Sequence, residues 1–187
     1  MKRLIFFIIV PVFIAGCSST RKVADVQPVV QQEAVISQPA THVNFSDQST
    51  WLLGYFNRNR LSAEPYSEWF VTGMDSYKYD EGAVNKLKEL GFSGLTIKIV
   101  LGTWCPDSRR EVPRFFRVLD AVNFPSDKIE LVGVDNSKFS PIENYQSLNI
   151  IRVPTFIFYK NNVEVGRIIE NPSTSLEQDM VNILTKE

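Results

Sequence analysis

Histidine is almost missing from this 187-residue chain: His42 stands alone, in a polar stretch ahead of any periodic segment. Catalysis by a histidine base and metal sites built on several imidazoles are thereby excluded. Cysteine is nearly as scarce, with only Cys17 and Cys105, so no spacing for a zinc or iron–sulfur site exists and no metal is expected. No cofactor is expected either. An excess of one charge is also lacking. Twenty Lys and Arg against 21 Asp and Glu leave a formal net charge of −1, with no basic field to hold a phosphate backbone, which argues against nucleic acid as a partner. What the chain does have is 44% hydrophobic and 22% charged residues, the composition of one globular domain with a tail.

Lys2 and Arg3 precede an apolar run from Leu4 to Ala15, with Pro11 inside it. The run falls short of the about 20 residues a permanent span requires, and a charged n-region followed by an h-region reads as a signal peptide. A buried core helix or a short membrane anchor are the alternatives. The run ends in Ile14-Ala15-Gly16-Cys17, small residues directly before a cysteine, which resembles the lipobox of bacterial lipoproteins. That resemblance implies a signal over residues 1–16, cleavage before Cys17, and acylation of the Cys17 sulfur and new amino group by chains such as palmitate. Each buried methylene then contributes about 0.8 kcal/mol, and the membrane becomes an expected partner. Ser18 follows instead of aspartate, which in the enterobacterial sorting pattern favours the outer membrane and so a cell-envelope protein facing the periplasm. Residues 17–47 are rich in Gln, Ser, Thr, Val and Pro without sustained periodicity. They read as a flexible tether with a typical reach of about 30 Å; short strands at Val29-Val30 and Val35-Ile36 are the alternative.

The domain is expected over residues 48–187, with an extension over 48–79 and a minimal fold over 80–187. Asp47 or Ser49 is placed to cap a helix beginning at Trp51, Leu52, Leu53, Tyr55 and Phe56, and Glu68 to Tyr79 is aromatic and ambiguous. Glu81 to Leu90 has helical spacing with Val84, Leu87 and Leu90 inward, ended by Gly91. Thr96 to Leu101 is a short β-branched run, as expected of a strand buried on both faces. Val112, Phe115, Phe116, Leu119 and Val122 recur at three and four, one face of a helix. Ile129 to Val134 reads as a strand, Thr155 to Tyr159 and Val163 to Ile169 as a hairpin turning at Asn161-Asn162, and Leu176, Met180, Ile183 and Leu184 line a closing helix. The order implies an α/β fold with helices on both faces of a central sheet.

Three features then stand together: Trp104-Cys105-Pro106-Asp107-Ser108, Pro113 eight residues after Cys105, and Arg152-Val153-Pro154-Thr155-Phe156 before the hairpin. In these the chain resembles the thioredoxin superfamily, and the run from Cys105 to Pro113 looks like the TlpA/ResA subgroup of periplasmic thiol-disulfide proteins. The interval from Cys105 to Pro154 is short for that subgroup's usual insertion. The resemblance implies a thioredoxin-like central sheet flanked by helices, here with an N-terminal helical extension, and a cis Pro154 facing the cysteine. The Val153 backbone is then free to pair with an extended substrate, beside Trp104 and Pro106. An ordinary turn proline is the alternative for Pro154. The residues themselves agree: where a buried strand gives way to a helix, Cys105 meets unpaired N–H groups and a positive dipole end, which favour a thiolate. Arg109 and Arg110 reinforce this and Asp107 opposes it.

The family pattern also breaks. A dithiol oxidoreductase needs a second cysteine, and Ser108 stands in its place. Lipidation consumes the Cys17 sulfur, leaving one free thiol. Ile99 occupies the position, six before the cysteine, where many thioredoxins carry a buried acid. Thr103 lies two residues before Cys105, not the three of peroxiredoxin-like proteins. Two readings follow. In the first, Cys105 is a monothiol exchanger, Ser108 donates a hydrogen bond to its thiolate, and extracytoplasmic protein thiols or disulfides or an external thiol reductant are the partners. In the second the domain is a redox-inactive binding module for an extended partner, with Cys105 a small buried hydrophobe. Trp51 and Trp69 belong either to a ligand surface or, as aromatics most often do, to the core.

Overall fold

The computed structural model describes residues 43–186; the expected signal peptide, Cys17 and the tether up to residue 42 lie outside the described residues. The organising element is strand β2 (Leu95–Leu101), whose β-branched and leucine side chains are buried along nearly its whole length. With β1 (Gly54–Phe56), β3 (Ile129–Gly133), β4 (Thr155–Lys160) and β5 (Val163–Ile169) it forms one sheet in the order β1-β3-β2-β4-β5. Only β2 and β3 run parallel; the other pairs are antiparallel. Asn161 and Asn162 turn the β4–β5 hairpin with φ of 50° and 67°, the two left-handed residues a tight hairpin needs.

Alternation along the strands divides the interior in two. Leu95, Ile97, Ile99 and Leu101 enter the larger core with Phe156 and Phe158, while Val100, Val132 and Ile157 enter a smaller one. Helices α1 (Ser67–Ser76), α2 (Glu81–Leu90), α3 (Pro106–Ala121) and α4 (Leu176–Leu184) all contribute to the larger core, through Phe70, Val84, Phe115 and Met180 among others. The sheet is therefore flanked by helices, as expected, and among the described residues the α-helices all pack on one face. The second face is covered by a 3-10 helix, Tyr145–Leu148, and its loops. Asn144 and Asn149 bound that helix in left-handed conformation, which stops it from growing into an α-helix.

Helix ends follow local chemistry. The Asp80 carboxylate accepts the Ala83 N–H at 2.7 Å to start α2, and Gly91 at φ 66° ends it. Leu90, expected inward, is 38% exposed on the rim of a surface hollow beside Leu95 and Leu184. Glu177 on α4 is buried and accepts the Tyr77 O–H at 2.9 Å and the Asp80 N–H at 2.7 Å. It thus fastens the link between α1 and α2 to the closing helix. Burial, with the Glu177 bond next, pushes the Tyr77 phenol well up.

The extension is helical over α1, but its first element differs from the expected helix. Asp47 accepts the Ser49 N–H at 2.9 Å and caps only a single 3-10 turn, Gln48–Thr50. The chain leaves that turn extended at Trp51, and Gly54–Phe56 pair with β3. Tertiary pairing overrides the apolar spacing here: Gly54 sits at φ +76°, and a Cβ on Gly133 would run into the Leu52 carbonyl. Helices α1 and α3 approach closely because a Cβ on Gly73 would lie only 2.6 Å from Pro113 Cγ. Gly73→Ala is expected to cost about 1–3 kcal/mol of stability through overpacking, read as a lower denaturation midpoint; a loss within experimental error would show that α1 does not pack on Pro113 as described.

Candidate functional site

The site forms where β2 hands over to α3. Cys105 is the N-cap of α3 with extended φ, ψ of −80° and 123°, and Pro106 is the first helical residue, a position where its missing N–H costs nothing. The intervening turn is tight: the Cys105 N–H donates to the Gly102 carbonyl at 2.9 Å. Gly102 must be a glycine, because a Cβ there would lie 2.5 Å from the Trp104 indole. That indole donates from Nε1 to the Val134 carbonyl at 2.9 Å, which fixes Trp104 over the end of β3.

Across from this turn, the Val153–Pro154 peptide bond is cis. Pairing of Val100 with Thr155 brings this bond to the end of β2, and the Cys105 Sγ–H donates to the Val153 carbonyl at 3.3 Å. Cys105, Trp104, Val153 and Pro154 are thus brought together, while Pro106 lies exposed on the rim. Cys105 itself is 7% exposed and is the one free cysteine among the described residues.

Ser108 differs from the role expected of it. It is fully buried, and its Oγ accepts the Gly102 N–H at 3.3 Å; among the described residues no hydrogen bond joins it to Cys105 Sγ. Ser108 holds the turn that presents Cys105. The two arginines also separate. Arg110 bonds Asp107 at 2.7 Å and Glu111 at 2.6 Å, whereas Arg109 has no carboxylate partner among the described residues. Its guanidinium lies 4.7 Å from the centre of the Phe45 ring. Burial lowers the Arg109 pKa and the nearby Cys105 charge opposes that shift. Ile99 is completely buried in the larger core, so no acid stands beneath the cysteine at that position.

Phe45 and Tyr145, which sequence did not single out, join Thr103, Trp51 and Trp69 around the site. Phe45, read as tether, packs against the larger core, and its carbonyl accepts the Trp51 Nε1–H at 3.0 Å. Thr103 is fully buried; its hydroxyl donates to the Thr50 carbonyl at 3.2 Å and accepts the Leu52 N–H at 3.3 Å. Trp51 and Trp69 pack against other aromatics, Trp51 with its ring centre 6.2 Å from that of Trp104 and Trp69 at 5.9 Å from Phe70. Tyr145 closes the smaller core beside Cys105, and its hydroxyl donates to the Lys138 carbonyl. The bonds of Thr103 to Thr50 and Leu52 and the packing of Trp51 on Trp104 join segments about fifty residues apart, so no sequence periodicity marks them.

The chain has a thioredoxin-like α/β fold, a five-stranded sheet flanked by helices, with a cysteine at a helix N-terminus opposite a cis-proline. A thioredoxin-like protein of Acanthamoeba polyphaga mimivirus is 27% identical over 88 residues, which is 47% of this chain and 61% of that protein. That similarity supports a thioredoxin-like family, although the match spans less than two thirds of the viral protein. A Pseudomonas aeruginosa protein of unknown function has a crystal structure that is 14% identical with a TM-score of 0.47, covering 65% of this chain and 83% of that one. No family profile matches the chain.

Burial, with Asp135 nearby, pushes the Tyr145 phenol up to about 12. An acid whose folded pKa is raised above its unfolded value of about 10 stabilises the fold below pH 10 and loses that contribution as pH rises through about 12. The denaturation midpoint is expected to fall over that window. Tyr145→Phe should flatten the decline in part, since Tyr77 titrates in the same direction; an unchanged slope would remove Tyr145 from the cause.

Proposed function

We propose that the chain is a lipid-anchored monothiol exchanger of the cell envelope, acting through Cys105 on extracytoplasmic protein thiols and disulfides. The Cys105 thiolate attacks one sulfur of a substrate disulfide or protein mixed disulfide. A new Cys105–substrate S–S bond forms, the old one breaks, and the leaving thiolate takes a proton from water. An external thiol, or a thiol of the substrate itself, then attacks the mixed disulfide and frees Cys105. The external thiol is oxidised in the first case; in the second the substrate is isomerised with no net redox change. Trp104, Pro106, Val153 and Pro154 border the reacting sulfur, and Ser108 keeps the turn in shape.

The observation that carries this reading is the seat of the sulfur: a thiol at the N-cap of a sixteen-residue helix, in contact with the carbonyl just before a cis-proline. The helix end favours a thiolate, and the strand end beside it has backbone suited to an extended substrate. The redox-inactive binding module has its own supporting observation. Cys105 is almost wholly buried, and its S–H is already engaged by Val153.

Full-length protein carrying Cys17→Ser, held in detergent, has Cys105 as its sole thiol. Incubated with a glutathionylated peptide and glutathione, it is expected to accelerate deglutathionylation and to form a trapped Cys105 mixed disulfide, both abolished by Cys105→Ala. A thiol that labels only after unfolding, with no acceleration, would overturn exchange and leave the binding module. For the anchor, wild-type chain expressed in a bacterial host should sediment with membranes and incorporate palmitate. Cys17→Ala should lose the label; a palmitate-labelled Cys17→Ala chain would refute lipidation at that residue.

A further inference from the structure

The described chain begins by wrapping the site. Residues 43–52 touch the turn and α3 at three places. Thr50 and Leu52 are stapled to the buried Thr103 hydroxyl. The Trp51 ring packs on Trp104. Phe45, held by the bond from Trp51 Nε1 to its carbonyl and by the Tyr66 ring at 6.1 Å, lies under the Arg109 guanidinium at 4.7 Å. Phe45 and Arg109 together line both a 520 Å³ hollow between α1 and α3 and a 340 Å³ hollow beside Trp104.

Most of the other charges near Cys105 have partners. On α3, Asp107 is paired with Arg110, and Glu111 with Arg110 and Arg114. On the loop carrying Pro154, Arg152 is paired with Glu170 at 2.6 Å. After β3, Asp135 accepts from the Phe139 N–H and the Ser137 hydroxyl, and the Tyr145 phenol donates to Lys138. At the start of the extension Asp47 caps its own turn. On α1 the exposed Glu68 borders the first hollow together with Arg109, Arg110 and Arg114. Arg109 is thus a cation one helical turn after Cys105 that is held by an aromatic face and not by a carboxylate. An aromatic ring orients a guanidinium without neutralising it, so its charge stays available to a neighbouring anion.

We propose that Phe45 is a positioning residue that holds Arg109 as the counter-charge of the Cys105 thiolate, so that the residues joining tether to domain set the reactivity of the cysteine. The inference rests on the exchange reading for its purpose, but the coupling is measurable by itself. When Cys105 ionises, its proton passes to water and the sulfur takes the negative charge, one helical turn ahead of Arg109.

The test uses the full-length Cys17→Ser protein and follows Cys105 by alkylation rate and by its 13Cβ chemical shift against pH. Arg109→Gln is expected to move the ionisation profile to higher pH, lowering alkylation at a fixed pH below the midpoint by about three- to tenfold. Phe45→Leu should move it the same way by a smaller amount, and Phe45→Trp should restore it. The Phe45→Leu, Arg109→Gln double variant should match Arg109→Gln alone. Added salt should reduce the difference between wild type and Arg109→Gln. Variants that lower only the denaturation midpoint while leaving the profile in place, or a double variant whose effects simply add, would overturn the coupling. A wild-type thiol that ionises but fails to exchange would overturn the proposed function and leave this inference standing, because the chemical shift reads ionisation without any reaction.

Discussion

Everything at the site depends on the register between β2 and β4. The pairing of Val100 with Thr155 brings the cis bond ahead of Pro154 level with the end of β2, and α3 begins only five residues beyond that strand's last residue, Leu101. A slip of one residue would turn Phe156 and Phe158 out of the larger core and carry Val153 away from Cys105. The same alternation that fills the core therefore sets the contact between sulfur and carbonyl. Ile97, Ile99 and Leu101 on one side, with Val100 on the other, bury the apolar side chains that fix that register.

The one-sided arrangement of α-helices has a chemical consequence. Phe115 lies between Phe156 and Phe158, with ring centres at 4.3 and 6.0 Å, and locks α3 to β4 from below. The smaller core above is closed by loops, a 3-10 helix and Tyr145. Cys105 belongs to that smaller core, so its sulfur sits under a cover made of short segments while its helix is rooted in the rigid layer. Firm support with a lighter cover is the arrangement in which local opening costs least.

The extension is part of the site. Thr103 bonds it to the Cys105 turn, the tilted rings of Trp51 and Trp104 pack across the junction, and Phe45 supports Arg109. Glu111, nearly buried on α3, draws Arg110 and Arg114 to itself. Two adjacent arginines with equal claims by sequence thereby acquire different roles.

Much of this was legible from residues alone. Regular spacing identifies α2, α3 and α4, β-branched runs identify β2, β3 and the hairpin, and the Trp-Cys-Pro and Val-Pro-Thr segments mark the site, because local periodicity and backbone restriction act within a few residues of each position. The count of sulfurs and histidines likewise follows from composition, as does the restriction it puts on the chemistry. Tertiary structure decided the rest. Gly54–Phe56 became a strand because β3 offered an edge, although its apolar residues have helical spacing as well. Leu90 was left exposed by the end of α2. Ser108 turned to the Gly102 N–H, and Arg109 was distinguished from Arg110 by Phe45, more than sixty residues away. Such contacts join segments distant in the chain, and the free energy that selects them is that of the packed interior, which no local pattern encodes.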